Sequence, residues 1–283
     1  MTTDVIHADV LAGEPTEYQS MLLRLFDKSI LKKAKFAAIR RYMPLTGGLR
    51  CLDIGADNGV LSYLLRESGG EWTSADLDPA IVDGIKQMVG EQVELFDGGR
   101  TDYSDGTFDV IVIIDFLEHI QNDRAFIGEL HRIMKPDACL IINVPHYRPN
   151  ALIRKLRLAC GLTDEKHGHL RPGYDLTSLN LICSEYFEIS EHHTYSRFFV
   201  EFYDVLISLL LERMSGDSQG QNDDNGGDKS KGNVVSGDDL NKHRKKFKIF
   251  SLIYPFVWLL AQLDRLLFWT QGHSLIVKAR RRN

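Results

Sequence analysis

The sequence predicts a doubly wound α/β fold, with a mostly parallel sheet, helices on both faces and a helical insertion before the last strand. Three observations predict it. Between residues 50 and 145, short strand-like runs alternate with amphipathic helical ones. One of these runs, VIVII at 110–114, is apolar without a break, as a strand covered on both faces should be. The 283 residues are 43% hydrophobic and 26% charged, and 23 glycines with 8 prolines are too little punctuation for an all-β chain of this length.

Each element follows from its local pattern. Residues 17–43 carry Leu22, Leu23, Phe26, Ile30 and Leu31 at helical spacing with bases between them, so one or two helices stop at Pro44. RCLDIG is then a strand, NGVLSYLLRES a helix, EWTSADLD a strand, PAIVDGIKQMV a helix and QVELFD a strand. FDVIVIIDFL reads as the next strand, NDRAFIGELHRIMK as a helix and ACLIINVP as a strand. Residues 146–172 read as a basic, polar connection, DLTSLNLICSEYF as a helix, EISEHHTYSRFF as a strand and SLIVKARR as the last strand.

This divides the chain into N-terminal helices (1–44), an α/β core (45–197 with 272–283) and an insertion (198–271). Within the insertion, residues 215–240 are Gly, Ser, Asp and Asn with almost no large apolar side chain, which predicts a disordered linker. Two apolar stretches flank it, 198–214 and 242–269, the second opening with KHRKK. The second has fifteen uncharged residues in a row, divided by Pro255, short of the ~20 needed to cross a bilayer. The pattern predicts helices that lie on a membrane surface, with aromatic rings at the headgroups and bases against anionic lipid. A hydrophobic cap over the active site, or a dimer interface, is the alternative.

Charge is distributed unevenly. Residues 241–283 hold ten bases and one acid, a net +9, which leaves −14 on residues 1–240 from the overall −5. An acidic body argues against nucleic acid as a partner. The four cysteines lie far apart, which suggests neither a metal knuckle nor a disulfide framework. The first twenty residues carry acids and no apolar core, the wrong chemistry for a secretory leader. The expected location is cytoplasmic, peripheral at the inner face of a membrane where the helices dock.

A glycine-containing turn, CLDIGADNGVLSYLL, joins the first strand to its helix and brings backbone N–H groups to the carboxyl edge of the sheet, where such sheets bind ligands. A dinucleotide fingerprint starting at Gly55 would need glycine at 57 and 60, where Asp57 and Val60 stand. CLDIGADNG instead resembles the glycine-rich loop of class I S-adenosylmethionine-dependent methyltransferases, in Asp53, Gly55 and Gly59. The likeness continues in order through SADLDP, LFDGG, FDVIVIIDFLEHI and FIGELHRIMKPDACLIINVP, over roughly residues 45–195.

The resemblance implies a seven-stranded Rossmann-like sheet, a transferase of the small-molecule or lipid type and S-adenosyl-L-methionine as cofactor. By it, Gly55 and Gly59 let the backbone approach the methionine part, and Asp53 orients the loop or reaches the amino group through water. Asp76 accepts both ribose hydroxyls, Leu77 lies against the adenine, Asp97 accepts from its amine, and Asp115 and Phe116 close the site near the sulfonium. Asp57 replaces the usual middle glycine, so its side chain must point away from the cofactor or accept from its amino group.

Candidate bases follow the fourth and fifth strands. His119, in FLEHI, resembles a segment common in the family; a packed or capping histidine is the plain alternative. His169 is the second candidate base, with His167, Arg171 and Tyr174 of the same KHGHLRPGY segment as acceptor-binding residues; a structural turn on the sheet is the alternative. Two local histidines without an acidic third ligand at fixed spacing predict no metal. The expected function is O-methylation of an amphipathic or membrane-linked small molecule such as a quinone, a lipid or a lipid-carried saccharide. A soluble small-molecule or saccharide methyltransferase and a non-catalytic cofactor-binding scaffold are the alternatives.

Overall fold

The structure is a computed structural model that describes residues 14–164, 168–216 and 254–282. Its strands are β1 (Arg50–Ile54), β2 (Glu71–Asp76), β3 (Val93–Leu95), β4 (Phe108–Ile114), β5 (Met134–Pro145), β6 (Phe187–Tyr195) and β7 (Ser274–Arg281). They form one sheet in the order β3-β2-β1-β4-β5-β7-β6. The first five strands run parallel, and β7 enters antiparallel between β5 and β6. The seven-stranded, mostly parallel sheet is the one expected.

Alternation along β4 shows why both faces are covered. Val110, Val112 and Ile114 enter one buried cluster, and Ile111 and Ile113 enter the other. On the first face lie α1 (Glu17–Asp27), α2 (Ile30–Tyr42), α3 (Val60–Arg66) and α4 (Pro79–Val89), through Leu22, Phe26, Ile39, Leu65 and Met88. On the second lie α5 (Asp123–Ile133) and α7 (Leu176–Cys183), through Phe126, Leu130 and Leu179. Capping sets the N-terminal boundaries: Thr16 and Gln19 form a capping box before α1, and Ser29 Oγ accepts from Lys32 N at the start of α2.

Two segments depart from the sequence reading. Residues 146–172 were expected as a connection, but they contain α6 (Leu152–Ala159), whose Ile153 and Leu156 face inward while Arg154, Lys155 and Arg157 interleave and mask the helical period. The helix α8 (Phe198–Gly216) runs two residues into the linker expected to be disordered; the rest of that linker and the basic run at 242–248 lie outside the described residues.

The insertion leaves and rejoins the sheet at the carboxyl edge of the parallel strands. Ser274, the first residue of β7, is paired both with Pro145 at the end of β5 and with Tyr195 at the end of β6. Beyond α8, residues 254–262 are helical and continue into a tight turn at Leu263–Leu267. Val257 and Asp264 of this segment are buried. Asp264 accepts from the backbone N–H of Arg197, Phe199 and Val200 at 3.1, 2.7 and 3.4 Å, supplying partners to the otherwise open start of α8. Its other side is apolar and faces solvent: Phe256, Phe268 and Trp269 are 70%, 74% and 68% exposed, with Trp258, Leu259 and Leu266 beside them. No helix among the described residues is long and apolar enough to cross a membrane.

Candidate active site at the carboxyl edge

The turn after β1 is built around backbone room. Gly55 has φ +86°, and a Cβ there would lie 2.3 Å from Ile114 O and 3.0 Å from Phe116 Cβ, so only glycine lets the first and fourth strand ends close together. Gly59, at φ +78°, serves packing instead: its Cβ would meet Ile85 Cα and Met88 Cβ of α4, both at 2.9 Å. Asp53 is fully buried, with Oδ1 accepting from Ser62 Oγ at 2.5 Å, Oδ2 accepting from Ser74 Oγ at 2.7 Å, and Arg66 at 3.5 Å. Burial pushes its pKa up and Arg66 with the two hydroxyls pulls it back. These bonds tie the end of β1 to α3 and β2.

Asp76 ends β2 next to Gly55, since Ile54 pairs with Ala75. It is 6% exposed, accepts from Asp78 N at 3.3 Å, and burial pushes it up to about 6 against the pull of the Asp78 and Leu77 backbone N–H groups. A carboxylate so placed keeps acceptor capacity for two hydroxyl donors and gains from receiving them. The third strand end closes this side: a Cβ at Gly98 would meet Ile120 Cδ1 at 2.6 Å and Leu77 Cδ2 at 3.7 Å. Asp97 beside it is exposed, and its Oδ1 accepts from Gly99 N at 2.7 Å. Asp76, Leu77 and Asp97 thus share one edge, and an adenosine-bearing donor fits the acids and apolar surface they present.

Asp57 and Asp115 both have positive φ, +54° and +45°. Asp57 points away from the turn to Lys32 Nζ at 3.0 Å, the first of the two orientations expected. Asp115, just past β4, pairs with Lys35 Nζ and accepts from Asn143 Nδ2 at 2.8 Å, while Asn143 Oδ1 accepts from Tyr195 Oη at 2.5 Å. Burial alone would lower the Lys35 ammonium's pKa; the Asp115 carboxylate outweighs it and holds the pKa above its ordinary value. Phe116 is buried, with its ring packed against Phe126. The sequence reading missed Lys32, Lys35, Asn143 and Tyr195. Lys32 and Lys35 were visible as bases one helical turn apart, but nothing local tied them to the acids 25 and 80 positions onward.

On the acceptor side, His119 and His169 come together, ring centroids 4.9 Å apart and edge to face. His119 Nδ1 lies 2.8 Å from Gly168 O, and because a carbonyl oxygen only accepts, the neutral ring carries its lone pair on Nε2. Glu118 adds a third ligand-type group, within 4.8 Å of the other two, where the sequence reading counted only the histidines. His167 lies outside the described residues. Arg171 and Tyr174 are bound within the protein. Arg171 binds Asp123, Ile120 O at 2.6 Å, Gln121 O at 3.1 Å and Tyr174 Oη at 3.1 Å. The buried Tyr174 donates to Asp123 Oδ2 at 2.8 Å. These bonds hold the turn after β4 in place, as in the structural alternative.

A seven-stranded sheet in this order, with its last strand antiparallel and with a glycine turn and acids at the carboxyl ends of its parallel strands, is the class I S-adenosylmethionine-dependent methyltransferase fold. The model of a family described as a methyltransferase domain matches residues 13–186, and this chain belongs to that family, with S-adenosylmethionine as its cofactor. The mitochondrial ubiquinone biosynthesis O-methyltransferase of Schizosaccharomyces pombe is 30% identical over 105 residues, 34% of this chain and 38% of that protein. The demethylmenaquinone methyltransferase of Clavibacter sepedonicus is 29% identical over 125 residues, 43% of this chain and 51% of that protein. The chain therefore spans about half, or less, of these relatives' length. The S-adenosylmethionine dependent methyltransferase from Mesorhizobium loti shares the fold, with a TM-score of 0.51 and 15% identity over 88% of this chain and 98% of that one.

Proposed function

We propose that this protein transfers a methyl group from S-adenosylmethionine to an oxygen of an amphipathic acceptor, of quinone or lipid-linked type, while its insertion rests on a membrane surface. The observation that carries the reading is the exposed apolar side of residues 256–269, rooted at the same sheet edge as Asp76 and Asp115. Withdrawing one such side chain from water is worth ~1.5–3 kcal/mol. Each base near an anionic surface adds ~1 kcal/mol, and the sequence supplies Arg265 and the KHRKK run. The two quinone-pathway relatives support an acceptor of this class.

When bound, the cofactor supplies a methyl group on a sulfonium, an electrophile with a neutral leaving group. The chain's task is alignment, which can contribute ~7–11 kcal/mol. Asp76 binds the ribose hydroxyls, Leu77 and Asp97 bound the base, and the turns at 55–57 and 115–116 fix the methionine end. For a hydroxyl acceptor, His119 Nε2 takes the proton, adding ~10²- to 10⁴-fold. His169 and Glu118 stand beside it to orient the ring.

A second reading is a soluble small-molecule or saccharide methyltransferase whose apolar helices form a lid or dimer face, favoured by how close the insertion's root lies to the strand ends. Incubation with methyl-labelled cofactor and fractionated extracts separates them. Label in the lipid fraction is the expected result, label confined to aqueous products supports the second reading, and no transfer to any fraction leaves a scaffold.

A further inference from the structure

Two non-glycine residues at the site share an uncommon backbone state and a common partner. Asp57 and Asp115 lie in the left-handed region, at φ +54° and +45°, which costs free energy that the surroundings must supply. Each is an acid, and each is paired with a lysine of α2: Lys32 with Asp57, Lys35 with Asp115. Lysines three positions apart project from one side of a helix. The two acids belong to different loops, one after β1 and one after β4, and these strands are neighbours, with Ile54 paired to Ile113. The loops touch where a Cβ at Gly55 would lie 3.0 Å from Phe116 Cβ.

We propose that α2 is a two-point clamp across the cofactor site, in which Lys32 and Lys35 are positioning residues that hold both left-handed turns in their binding geometry. The clamp accounts for the aspartate at a position that is usually glycine in the loop this chain resembles: Asp57 gives Lys32 an anchor. The inner point is the stronger. The Lys35 pair is more buried than the Lys32 pair, and Asp115 is also braced by the fully buried Asn143, itself held by Tyr195. The inference rests on the placement of the cofactor site at this edge.

Calorimetric titration of the full chain with S-adenosylmethionine, and separately with S-adenosylhomocysteine, tests it. Lys35→Met should weaken both ligands by about tenfold, and Lys32→Met by roughly threefold, as expected for a more buried and a more exposed pair. The factors should be equal for the two ligands, because the clamp acts through loop geometry, and Lys35→Arg should recover most of the loss. Unchanged affinities would overturn the clamp. So would tighter S-adenosylmethionine with unchanged S-adenosylhomocysteine, which would make Lys35 a simple electrostatic neighbour of the sulfonium. If Lys35→Met does not fold, Lys32→Met carries the test alone: affinity should fall more steeply with salt in the wild type than in Lys32→Met, and equal salt slopes would overturn the proposal. Asp76→Ala separates this from the placement itself, since retained binding in that variant would remove the site and not the clamp.

Discussion

The cofactor edge and the apolar cap meet at one end of the sheet, yet they are built on opposite principles. At the edge, polar atoms are answered by other polar atoms: Asp53 by two hydroxyls and an arginine, Asp115 by a lysine and a buried amide. On the cap, side chains that would normally be covered are left open, and Asp264, the one acid among residues 254–269, is turned inward to hold α8. Precise geometry suits a ligand of fixed shape, and a broad apolar surface suits partners that need only be greasy. The contrast teaches that the two halves can be damaged independently.

The largest expected effect sharpens that independence. Asp76→Ala should weaken S-adenosylhomocysteine by ~100-fold through loss of two hydrogen bonds to a charged group, while flotation with liposomes stays the same. In the other direction, Phe268→Ser with Trp269→Ser should lower partitioning onto anionic vesicles by ~30-fold with cofactor affinity unchanged. Equal flotation of variant and wild type would break the comparison by removing the docking surface. Acidity gives the next effect. Because Asp76 titrates at about 6 and binds hydroxyls as the carboxylate, affinity should drop ~10-fold for each pH unit below that value, read by titration at pH 5 and 7. The unliganded fold responds the opposite way: a native carboxyl that keeps its proton longer than the unfolded chain loses its contribution as pH rises through about 6.

The smallest effect belongs to the cap's root. Burial pushes Glu201 up to about 7, and Ser196 Oγ, donating at 2.5 Å, pulls it back. With a raised native pKa, its contribution is full in acid and lost as pH rises through about 7. Glu201→Gln should therefore stabilise the protein by ~1 kcal/mol or more at pH 8, by less at pH 5 and by nothing only below about pH 4, where the unfolded carboxyl is protonated too, measured by thermal melts across these buffers.

The sheet was legible because its signals are local. A run such as VIVII and a glycine turn at a strand end are written in consecutive residues, and both lie where expected. Asp76, Asp97 and Asp115 could be ordered along the chain from the resemblance; β2 and β3 are neighbours, and β4 lies one strand further, beyond β1. What was missed depends on distance. The Lys35 and Asp115 pair joins positions 80 apart, and the Tyr195 and Asn143 bond joins positions 52 apart, so neither leaves a mark on the local pattern. The partner of Arg171 and Tyr174 is hidden for the same reason. A cationic and an aromatic residue in a loop read as ligand-binding groups until Asp123, some fifty positions earlier, is seen to occupy them.

Tyr195 and Ser274 face one another as partners across adjacent strands, so the chain departs the core and returns to it within a single inter-strand step. Gly272 marks the return, since any side chain there would collide with the Tyr195 carbonyl at 2.0 Å. Closing a longer excursion between fixed neighbours costs only ~0.6 kcal/mol for each doubling of length. The same sheet can therefore accept caps of many sizes at this junction, and a foreign cap grafted between residues 196 and 272 should leave the strand ends around Asp76 and Asp115 undisturbed.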